Sequence, residues 1–450
     1  MSAVARPATA PATPEVSGRP PPGPRGTALG HALAMLVAEP WLLEQCRRRF
    51  GDAFTLRTPP LERLVVLSDV GEIKRLLAAD PAVSHAGEGN RFLTPLMGVR
   101  SLFALDEAEH MRERKLMLPA FHGERVRVYG ELIREVTEAE TARWPTGEPF
   151  QLLGAMRRIT LRVIARAVFG IDDPERLGEL EAQLNRLLDL GERTMMLPWV
   201  QHDLGPLSPW GRFLRAREVV DELLFREIRE RRHATDLRER VDVLSLLLQV
   251  RDEQGRAMED RDLRDELITL LVAGHETTAT QLSWTFERVL RHPAVHARLR
   301  EELPAGDDTY LDCTIKESQR TRPVVTFSAM RVLTQPMELA GYTVPAGWMV
   351  GLSAYLVHNR PDLHPNPHHF RPERFEEGPP ASRAWLPFGG GVRRCLGAAF
   401  AAYEMRVVMR TILERCELHA PDPRPERMQR RVITFVPSRG ATVQLPRAPS

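Results

Sequence analysis

WLPFGGGVRRCLG, at residues 385–397, is the most informative stretch of this 450-residue chain. Three glycines and two arginines lead to Cys395, and the helical sequence AAFAAYEMRVVMRTILERC follows almost at once. A thiol at the start of a helix lies near the positive end of the helix dipole, which favours the thiolate that ligates metals. Glycines let a backbone approach a flat ligand closely, and Arg393 offers a cation to an anionic group. The stretch therefore predicts a ligand-binding loop in which Cys395 holds a metal.

Five residues of this loop stand at a fixed spacing: Phe388, Gly391, Arg393, Cys395 and Gly397. The pattern resembles the heme-binding loop of the cytochrome P450 family, the heme-thiolate monooxygenases. A dinucleotide-binding loop is the weaker interpretation, because G-x-G-x-x-G is not satisfied and no βαβ pattern surrounds the glycines. The resemblance implies that Cys395 is the proximal ligand of the iron in heme b, and that Phe388, Arg393 and Gly397 contact the heme.

Helical periodicity dominates the middle of the chain, at 126–144, 156–170 and 259–291, with short strand-like segments before and after. This pattern predicts a mainly α fold with small β-sheets, an α+β domain over residues 26–450. The resemblance adds the cytochrome P450 fold, with heme between a long oxygen-binding helix and the helix that follows the cysteine loop. Residues 1–25, rich in proline and alanine, are expected to form a flexible lead-in.

A second mark of the same family is the segment IKESQRTRP. Glu317 and Arg320 are three residues apart on a predicted helix, so their side chains share a face. They match the family pattern E-x-x-R, which is joined by an arginine in a downstream P-E-R-F segment, here Arg374. The resemblance implies a buried carboxylate between two guanidiniums that locks the heme loop in place. Taken alone, the spacing would be better interpreted as a solvated ion pair.

Heme carries two carboxylates, and the chain offers cations for them. His110 and Arg114 are four residues apart on a predicted helix that resembles the family helix crossing the heme. Arg331 matches a further arginine of the family that binds a propionate. With Arg393 these residues form a predicted set of donors and charges, although a surface position is the alternative for each arginine.

The stretch LVAGHETTAT, residues 271–280, opens like the zinc-protease pattern H-E-x-x-H. A zinc helix needs its second histidine one turn after the first, so that both imidazoles face one ion. That place is Ala279. The metallopeptidase interpretation of His275 and Glu276 therefore fails.

The same stretch fits the family pattern A-G-x-[DE]-T-[TS], beginning at Ala273. The resemblance implies that Thr277 holds a hydrogen bond to dioxygen and that Glu276 helps to relay protons from solvent. The small Ala273 would leave room beside the heme, where the helix is expected to open locally. His275 is expected to point away from the heme, as core filling or a surface contact. The alternative is a threonine-rich stretch that merely packs.

Substrate-facing positions follow by analogy with the family. They are predominantly apolar and include no evident carboxylate or ammonium anchor, which predicts a lipophilic substrate such as a fatty acid or a terpenoid. The alternative is that about half of these residues simply build the core. The predicted pocket comprises Phe92, Leu96, Leu270, Val324, Val325, Phe327 and Thr434, with MMLPWV at 195–200 beside it.

Composition narrows the classes of protein further. The chain is 43% apolar and 27% charged, and its formal net charge of +2 argues against a nucleic-acid binder. Its four cysteines are widely spaced without a CxxC pair, so we expect no disulfide framework and a reducing cytoplasm. The N-terminus lacks the apolar region of a secretory signal, and no run of about 18 apolar residues predicts a membrane span.

The sequence shows no flavin or NAD motif, so electrons must come from other proteins. The resemblance implies a ferredoxin and a ferredoxin reductase as donors to a monomer, docking on basic residues around the heme motifs. These residues are Arg112, Arg114, Lys115, Arg393, Arg394, Arg406 and Arg410.

Three other functions stay open at this point. A heme-thiolate peroxygenase or isomerase would not need dioxygen activation, although members of that kind tend to lose the pair that Glu276 and Thr277 represent. A heme-binding sensor or carrier would need the cysteine loop but not this pair. A non-heme helical scaffold would need neither.

Overall fold

The computed structural model describes residues 18–58, 63–121, 125–195, 200–378 and 384–446. Residues 1–17 of the predicted lead-in and 196–199 of the predicted substrate segment lie outside the described residues. The helices are α1 Ala28–Phe50, α2 Val70–Leu77, α3 Ala86–Gly89, α4 Thr94–Met97, α5 Glu107–Met117, α6 Arg125–Val128, α7 Gly130–Thr141, α8 Leu152–Phe169, α9 Pro174–Thr194, α10 Pro209–Arg232, α11 Val243–Gln249, α12 Asp260–Val289, α13 Pro293–Glu302, α14 Thr309–Thr321, α15 Ala354–His358 and α16 Ala398–Arg415. The strands are β1 Ala53–Leu56, β2 Leu64–Leu67, β3 Ser84–His85, β4 Pro149–Gln151, β5 Phe327–Leu333, β6 Met337–Leu339, β7 Tyr342–Val344, β8 Met349–Ser353, β9 Met428–Arg431, β10 Thr434–Pro437 and β11 Thr442–Gln444.

These elements confirm the predicted mainly α fold with small sheets. The longest helix, α12, contacts α8, α10, α14 and α16. Leu263, Leu271 and Leu282 are fully buried, and so are the polar Glu266 and Thr280, as expected for a helix that other helices surround. Acidic residues in its first turn suit the positive end of the helix dipole. Among the helices of the described part, none is long and apolar enough to cross a membrane.

The largest sheet has five strands in the order β1-β2-β8-β5-β3. Its strand β2 has the sequence LVVL, and side chains from both of its faces are buried. Val65 packs with Ile73 of α2 on one face, while Val66 packs with Leu43 of α1 on the other. A strand covered on both faces needs a continuous apolar sequence, which is what β2 has.

The described part of the predicted lead-in lies against this sheet. Thr55 of β1 donates from its backbone N–H to Pro22 O at 2.8 Å and from its hydroxyl to Pro21 O at 2.7 Å. Gly23 approaches the same strand so closely that a Cβ there would lie 1.9 Å from Thr55 O. Residues 21–23 therefore cover the edge of β1 as a backbone-paired segment.

Glu317 of α14 is the centre of a buried ion network. Both guanidinium nitrogens of Arg320 that face it, Nε and Nη2, donate to its carboxylate at 2.8 Å. Arg374, in the 3₁₀ turn Pro372–Phe375, donates from Nε at 3.1 Å, and Arg371 N–H donates at 3.0 Å. The side chains of Glu317 and Arg320 are 0% exposed. Bidentate geometry and full hydrogen bonding are what make such a buried charge tolerable.

His358 joins this network to the start of the cysteine loop. Arg320 Nη1 donates to the backbone oxygen of His358 at 2.8 Å, and the Leu386 N–H donates to His358 Nε2 at 2.8 Å. Burial lowers the pKa of His358 to about 3, so its imidazole is neutral and Nε2 can accept. The position of the loop backbone is therefore tied to the buried carboxylate of Glu317 through one histidine.

Replacing Glu317 by glutamine should destabilise the protein strongly, because two buried guanidiniums lose their shared carboxylate. Breaking a buried charge network by removing one partner costs about 3–5 kcal/mol. Urea unfolding of the purified protein, followed by circular dichroism, measures this loss. Glu131→Gln, which removes an exposed pair with Arg134, is the matched control and should leave the midpoint unchanged. Equal midpoints for the two variants would contradict the stabilising role of Glu317.

Candidate active site

The glycines of the cysteine loop are required by close packing against the protein itself. Gly389 and Gly391 have φ of +65° and +64°, a left-handed region that favours glycine. A Cβ on Gly391 would lie 2.5 Å from Leu77 O at the end of α2, and one on Gly389 would lie 2.9 Å from Ser328 O in β5. Around Gly397, by contrast, no heavy atom of the described residues, its chain neighbours aside, lies within 4 Å of the ideal Cβ position. One side of the loop therefore packs closely against α2 and β5, and the other side, at Gly397, is open.

Cys395 faces this open side. Its N–H donates to Phe388 O at 2.9 Å, which closes the loop, and its side chain is exposed. Burial nevertheless raises the pKa of its thiol, with the Gly397 N–H, Arg114 and Arg394 acting in the opposite direction. An accessible thiol surrounded by protein on most sides fits a residue that lines an enclosed space.

In the protein without heme, the thiolate of Cys395 that the helix terminus favours is opposed by burial. The helix-end N–H and the arginines do lower the pKa of the thiol, but desolvation outweighs them. A bound metal reverses this balance, because a coordinating thiol is deprotonated outright by the charge of the ion.

One face of α12 is open in the same way. Leu270, Ala273, Gly274 and Thr277 are half-buried at positions i, i+3, i+4 and i+7, whereas their neighbour Leu271 is fully buried. The Thr277 hydroxyl donates to Ala273 O at 2.6 Å, so it already enters the hydrogen-bond ladder of the helix. Because the residues on this face are small or apolar, the face can lie against a flat apolar ligand.

His275 points away from that face into the contact between α12 and α8. Its ring Nδ1 is 3.0 Å from the Thr160 hydroxyl, which also donates to the His275 backbone oxygen at 3.1 Å. Burial, with Arg157 as the smaller cause, lowers the pKa of His275 to about 3. The His275 ring is therefore neutral and packs between α12 and α8. Through the bond from Thr160, the backbone oxygen of His275 becomes a second carbonyl of α12 that accepts from a side-chain hydroxyl.

Glu276 is held by two arginines that the sequence patterns did not single out. Arg157 of α8 donates from Nε at 2.9 Å and from Nη2 at 2.6 Å to its carboxylate. Arg431 of β9 lies 3.7 Å from the same group. Burial raises the pKa of Glu276 to about 7, against the opposing effect of Arg157. The carboxyl therefore gains and loses its proton near neutral pH.

The four predicted propionate-binding residues form one cluster. Burial, then Arg393, Arg114 and Arg331 in that order, lower the pKa of His110 to about 3, so the three cations all lie near its ring. Arg393 pairs with Asp106 at 2.6 Å, and Arg114 Nη2 donates to Arg394 O at 2.8 Å. The structure thus brings together residues of α5, β5 and the cysteine loop that are far apart in sequence.

Arg331 is the most deeply buried arginine of this cluster. It is 6% exposed, and it donates a hydrogen bond to the backbone oxygen of the preceding Met330 at 3.0 Å. Burial lowers the pKa of its guanidinium to about 10, and no carboxylate of the described chain lies within ion-pair distance. A buried guanidinium without a carboxylate is costly unless a ligand supplies one. The cluster fits the two carboxylates of a heme.

The predicted substrate residues divide into two groups. Leu96, Val324 and Thr434 are buried, and Val324 O accepts from the Phe435 N–H at 2.8 Å, so these residues build the wall. The others keep accessible surface and are the candidates for direct contact: Phe92, Leu270, Val325 and Phe327.

Most of the predicted docking cations are paired with carboxylates of the chain itself. Arg394 is exposed and has no carboxylate within ion-pair distance among the residues the structure describes. Arg393 points inward to Asp106 instead of outward. The paired cations and their partners are Arg112 with Glu113, Lys115 with Glu253, Arg406 with Asp312, and Arg410 with Asp308.

Comparison with known proteins agrees with these features. A sequence model of the cytochrome P450 family matches residues 20–444. A Mycobacterium tuberculosis protein with the provisional name cytochrome P450 135B1 is 44% identical, over 94% of this chain and 91% of its own length. A second protein of the same organism, provisionally named cytochrome P450 135A1, is 41% identical, over 94% of this chain and 95% of its own length.

Solved structures share the fold. Retinoic acid-bound cyanobacterial CYP120A1 superposes with a TM-score of 0.83 at 24% identity, covering 95% of this chain and 99% of that chain. The cytochrome P450DA heme domain superposes with a TM-score of 0.82 at 23% identity, covering 96% of this chain and 98% of that chain. The family match extends over nearly the whole chain and implies a heme iron cofactor. The chain belongs to the cytochrome P450 family, the heme-thiolate monooxygenases.

Proposed function

We propose that this protein inserts one atom of dioxygen into a lipophilic small molecule, by hydroxylation or epoxidation, using electrons from a ferredoxin and its reductase. A fatty acid or a terpenoid is the proposed class of substrate, and the enzyme acts as a monomer. The observation that carries the proposal is the open face of α12. It presents Thr277 on an otherwise buried helix, with Glu276 beside it, paired to arginines and poised to exchange a proton near pH 7.

Five residues would hold the heme. Cys395 supplies the thiolate ligand from a loop that glycines and the Phe388 oxygen keep in place. Arg331 and Arg393 would pair with the heme carboxylates, assisted by Arg114 and the neutral His110. A heme bound through cysteine thiolate supplies the power to cleave the O–O bond and oxidise a C–H bond.

The chain's own residues would deliver protons and exclude water. Glu276 is linked through Arg431 to Glu192 at 2.6 Å and to Asp189 at 3.2 Å, and the side chain of Asp189 is 65% exposed. The Glu276 carboxyl therefore lies one ion pair away from groups in contact with solvent. A hydroxyl at Thr277, already bonded to Ala273 O, can accept a hydrogen bond while it donates one, as a relay requires.

The substrate class is supported by the character of the accessible side chains. Phe92, Leu270, Val325 and Phe327 offer apolar contact area, and none of them carries a charge or a hydroxyl group. A pocket lined in this way binds its ligand mainly by removing apolar surface from water. Arg394, which is exposed and has no carboxylate of the described residues within ion-pair distance, is a part of the predicted docking face that remains available to an acidic ferredoxin.

Replacing Arg331 by methionine should accelerate heme loss about tenfold or more, because a hydrogen bond to a charged group contributes about 1.5–3 kcal/mol. Transfer of heme to excess apomyoglobin, followed by absorbance, measures the rate. The same change should not lower the free energy of unfolding of the heme-free chain, because it removes a buried cation without a local carboxylate.

Arg231→Met is the matched control for this experiment. Arg231 is also buried, but it pairs with Asp242 at 2.5 Å. Its loss should destabilise the chain and leave the rate of heme transfer from the folded protein unchanged. Identical heme-transfer rates for wild type and the Arg331 variant would exclude Arg331 as a heme contact.

Replacing Thr277 by alanine should uncouple electron use from product formation. With the best lipophilic substrate found by a Soret spin-state screen, wild type should incorporate one ¹⁸O atom from ¹⁸O₂ per product molecule. The variant should consume NAD(P)H at a comparable rate but release peroxide, because the hydroxyl that relays protons is missing. Thr278→Ala removes a hydroxyl that is buried off the open face and should keep the coupling of wild type. Product formed without dioxygen would instead indicate a peroxygenase or isomerase.

The rate of coupled turnover should fall as pH rises through about 7. The pKa of Glu276 is raised to about 7, so the carboxyl is protonated below that pH and loses its proton, and with it its use as a donor, above it. Glu276→Gln cannot titrate and should show a low rate without this inflection. Glu131→Gln, an exposed change, should keep the wild-type profile. An unchanged inflection in the Glu276 variant would assign it to another group.

A further inference from the structure

The first helix carries an exposed apolar face. Leu29 is 74% exposed, Leu33 60%, Leu36 47% and Val37 77%, and Trp41 follows at 62%. The first four stand at i, i+4, i+7 and i+8, so they form one stripe along α1. Single exposed apolar residues are ordinary, but a contiguous row of them marks an interaction surface.

α1 is kinked at Ala38, and the part after the kink fixes the helix to the protein. Leu42, Leu43 and Cys46 are buried in the core cluster beneath the five-stranded sheet. Glu39, 1% exposed, accepts from the Thr326 hydroxyl and pairs with Arg430. The helix therefore does not need its exposed stripe for folding, and the stripe is free to contact something else.

The charges around the stripe have one sign. Arg19, Arg25, Arg48 and Arg49 are exposed, whereas no acidic side chain between residues 18 and 50 is. Of the two acids of α1, Glu39 is buried, and the half-buried Glu44 accepts from the Tyr355 hydroxyl at 2.6 Å and lies 3.9 Å from Arg48. The surface presented by this segment is apolar along its length and cationic at both ends.

We propose that this face of α1 binds the surface of an anionic lipid bilayer. The leucines and Val37 would enter the boundary between headgroups and acyl chains, and the four arginines would lie against lipid phosphates. An apolar stripe with basic flanks, on a helix that is not apolar enough to span a bilayer, is the pattern of an interfacial helix. Trp41 at the edge of the stripe suits the headgroup level.

A bilayer fits the charge pattern better than a second copy of the chain. In a two-fold dimer through this face, the same stripe and the same arginines would meet themselves, and no exposed acid of α1 would be available to pair with them. Anionic lipid supplies both the apolar phase and the negative charge. The proposal is independent of the substrate and of the reaction.

Co-sedimentation of the full-length, heme-loaded protein with lipid vesicles tests the proposal. Wild type should bind vesicles of phosphatidylglycerol and phosphatidylcholine in about equal parts, and should bind less to phosphatidylcholine alone or at high salt. The double variant Leu33→Glu/Val37→Glu should bind about tenfold more weakly or worse. Val128→Glu/Val241→Glu, which changes two exposed valines elsewhere, should bind like wild type.

A second measurement does not depend on the folding of the glutamate variant. Brominated lipid should quench part of the tryptophan fluorescence of wild type, and Trp41→Phe should remove that part. Failure of wild type to bind anionic vesicles would overturn the proposal, as would equal binding by the Leu33/Val37 variant. A wild-type dimer that the same variant converts to monomers, without vesicle binding, would assign the face to a second copy.

Discussion

The carboxylate of Glu317 is the constraint on which the position of the cysteine loop depends. It is fully buried, and it is acceptable there only because two guanidiniums and the Arg371 N–H satisfy both of its oxygens. Arg320 Nη1 donates to the backbone oxygen of His358. The neutral ring of His358 accepts in turn from the Leu386 N–H, which lies just before the glycines. A metal ligand held in a loop would be imprecise without such support. Here Arg320, His358 and Leu386 connect the loop by hydrogen bonds to the packed helix α14, which holds the loop in position.

The site uses burial of charge in two opposite ways. Around Glu317 two guanidiniums are hydrogen-bonded to one buried carboxylate inside the protein, so the network is structural. Arg331 is buried with no carboxylate of the described residues within ion-pair distance, and Arg393 pairs with Asp106. The first arrangement stabilises the fold. The second leaves buried positive charge, which the two carboxylates of a heme would neutralise. The same principle makes Glu276 a titrating group: burial opposes its ionisation, and Arg157 offsets that only in part.

The sequence predicted the local features well and the long-range ones poorly. The cysteine loop, the long helix and the E-x-x-R pair are short patterns whose spacing alone defines a shared face or a turn. Arg157 contacts Glu276 across 119 residues, and no spacing within one helix predicts such a partner. The thiol of Cys395 shows the same limit. The helix end and the arginines were visible in the sequence, but the desolvation that outweighs them depends on packing from distant segments.

The two sides of the proposed heme site differ in how tightly they are specified. On the cysteine side, a Cβ on Gly389 or Gly391 would collide with backbone oxygens, so neither the loop path nor its residues can vary freely. On the side of α12, Phe92, Leu270 and Val325 are apolar and partly accessible, and their side chains have no polar atoms that need hydrogen bonds. Exchange of one apolar side chain for another of similar size costs little stability. In the proposed site, chemistry and selectivity are therefore separated in space: the charged, hydrogen-bonded side would hold the cofactor, and a change on the apolar side would alter the accepted substrate without disturbing it.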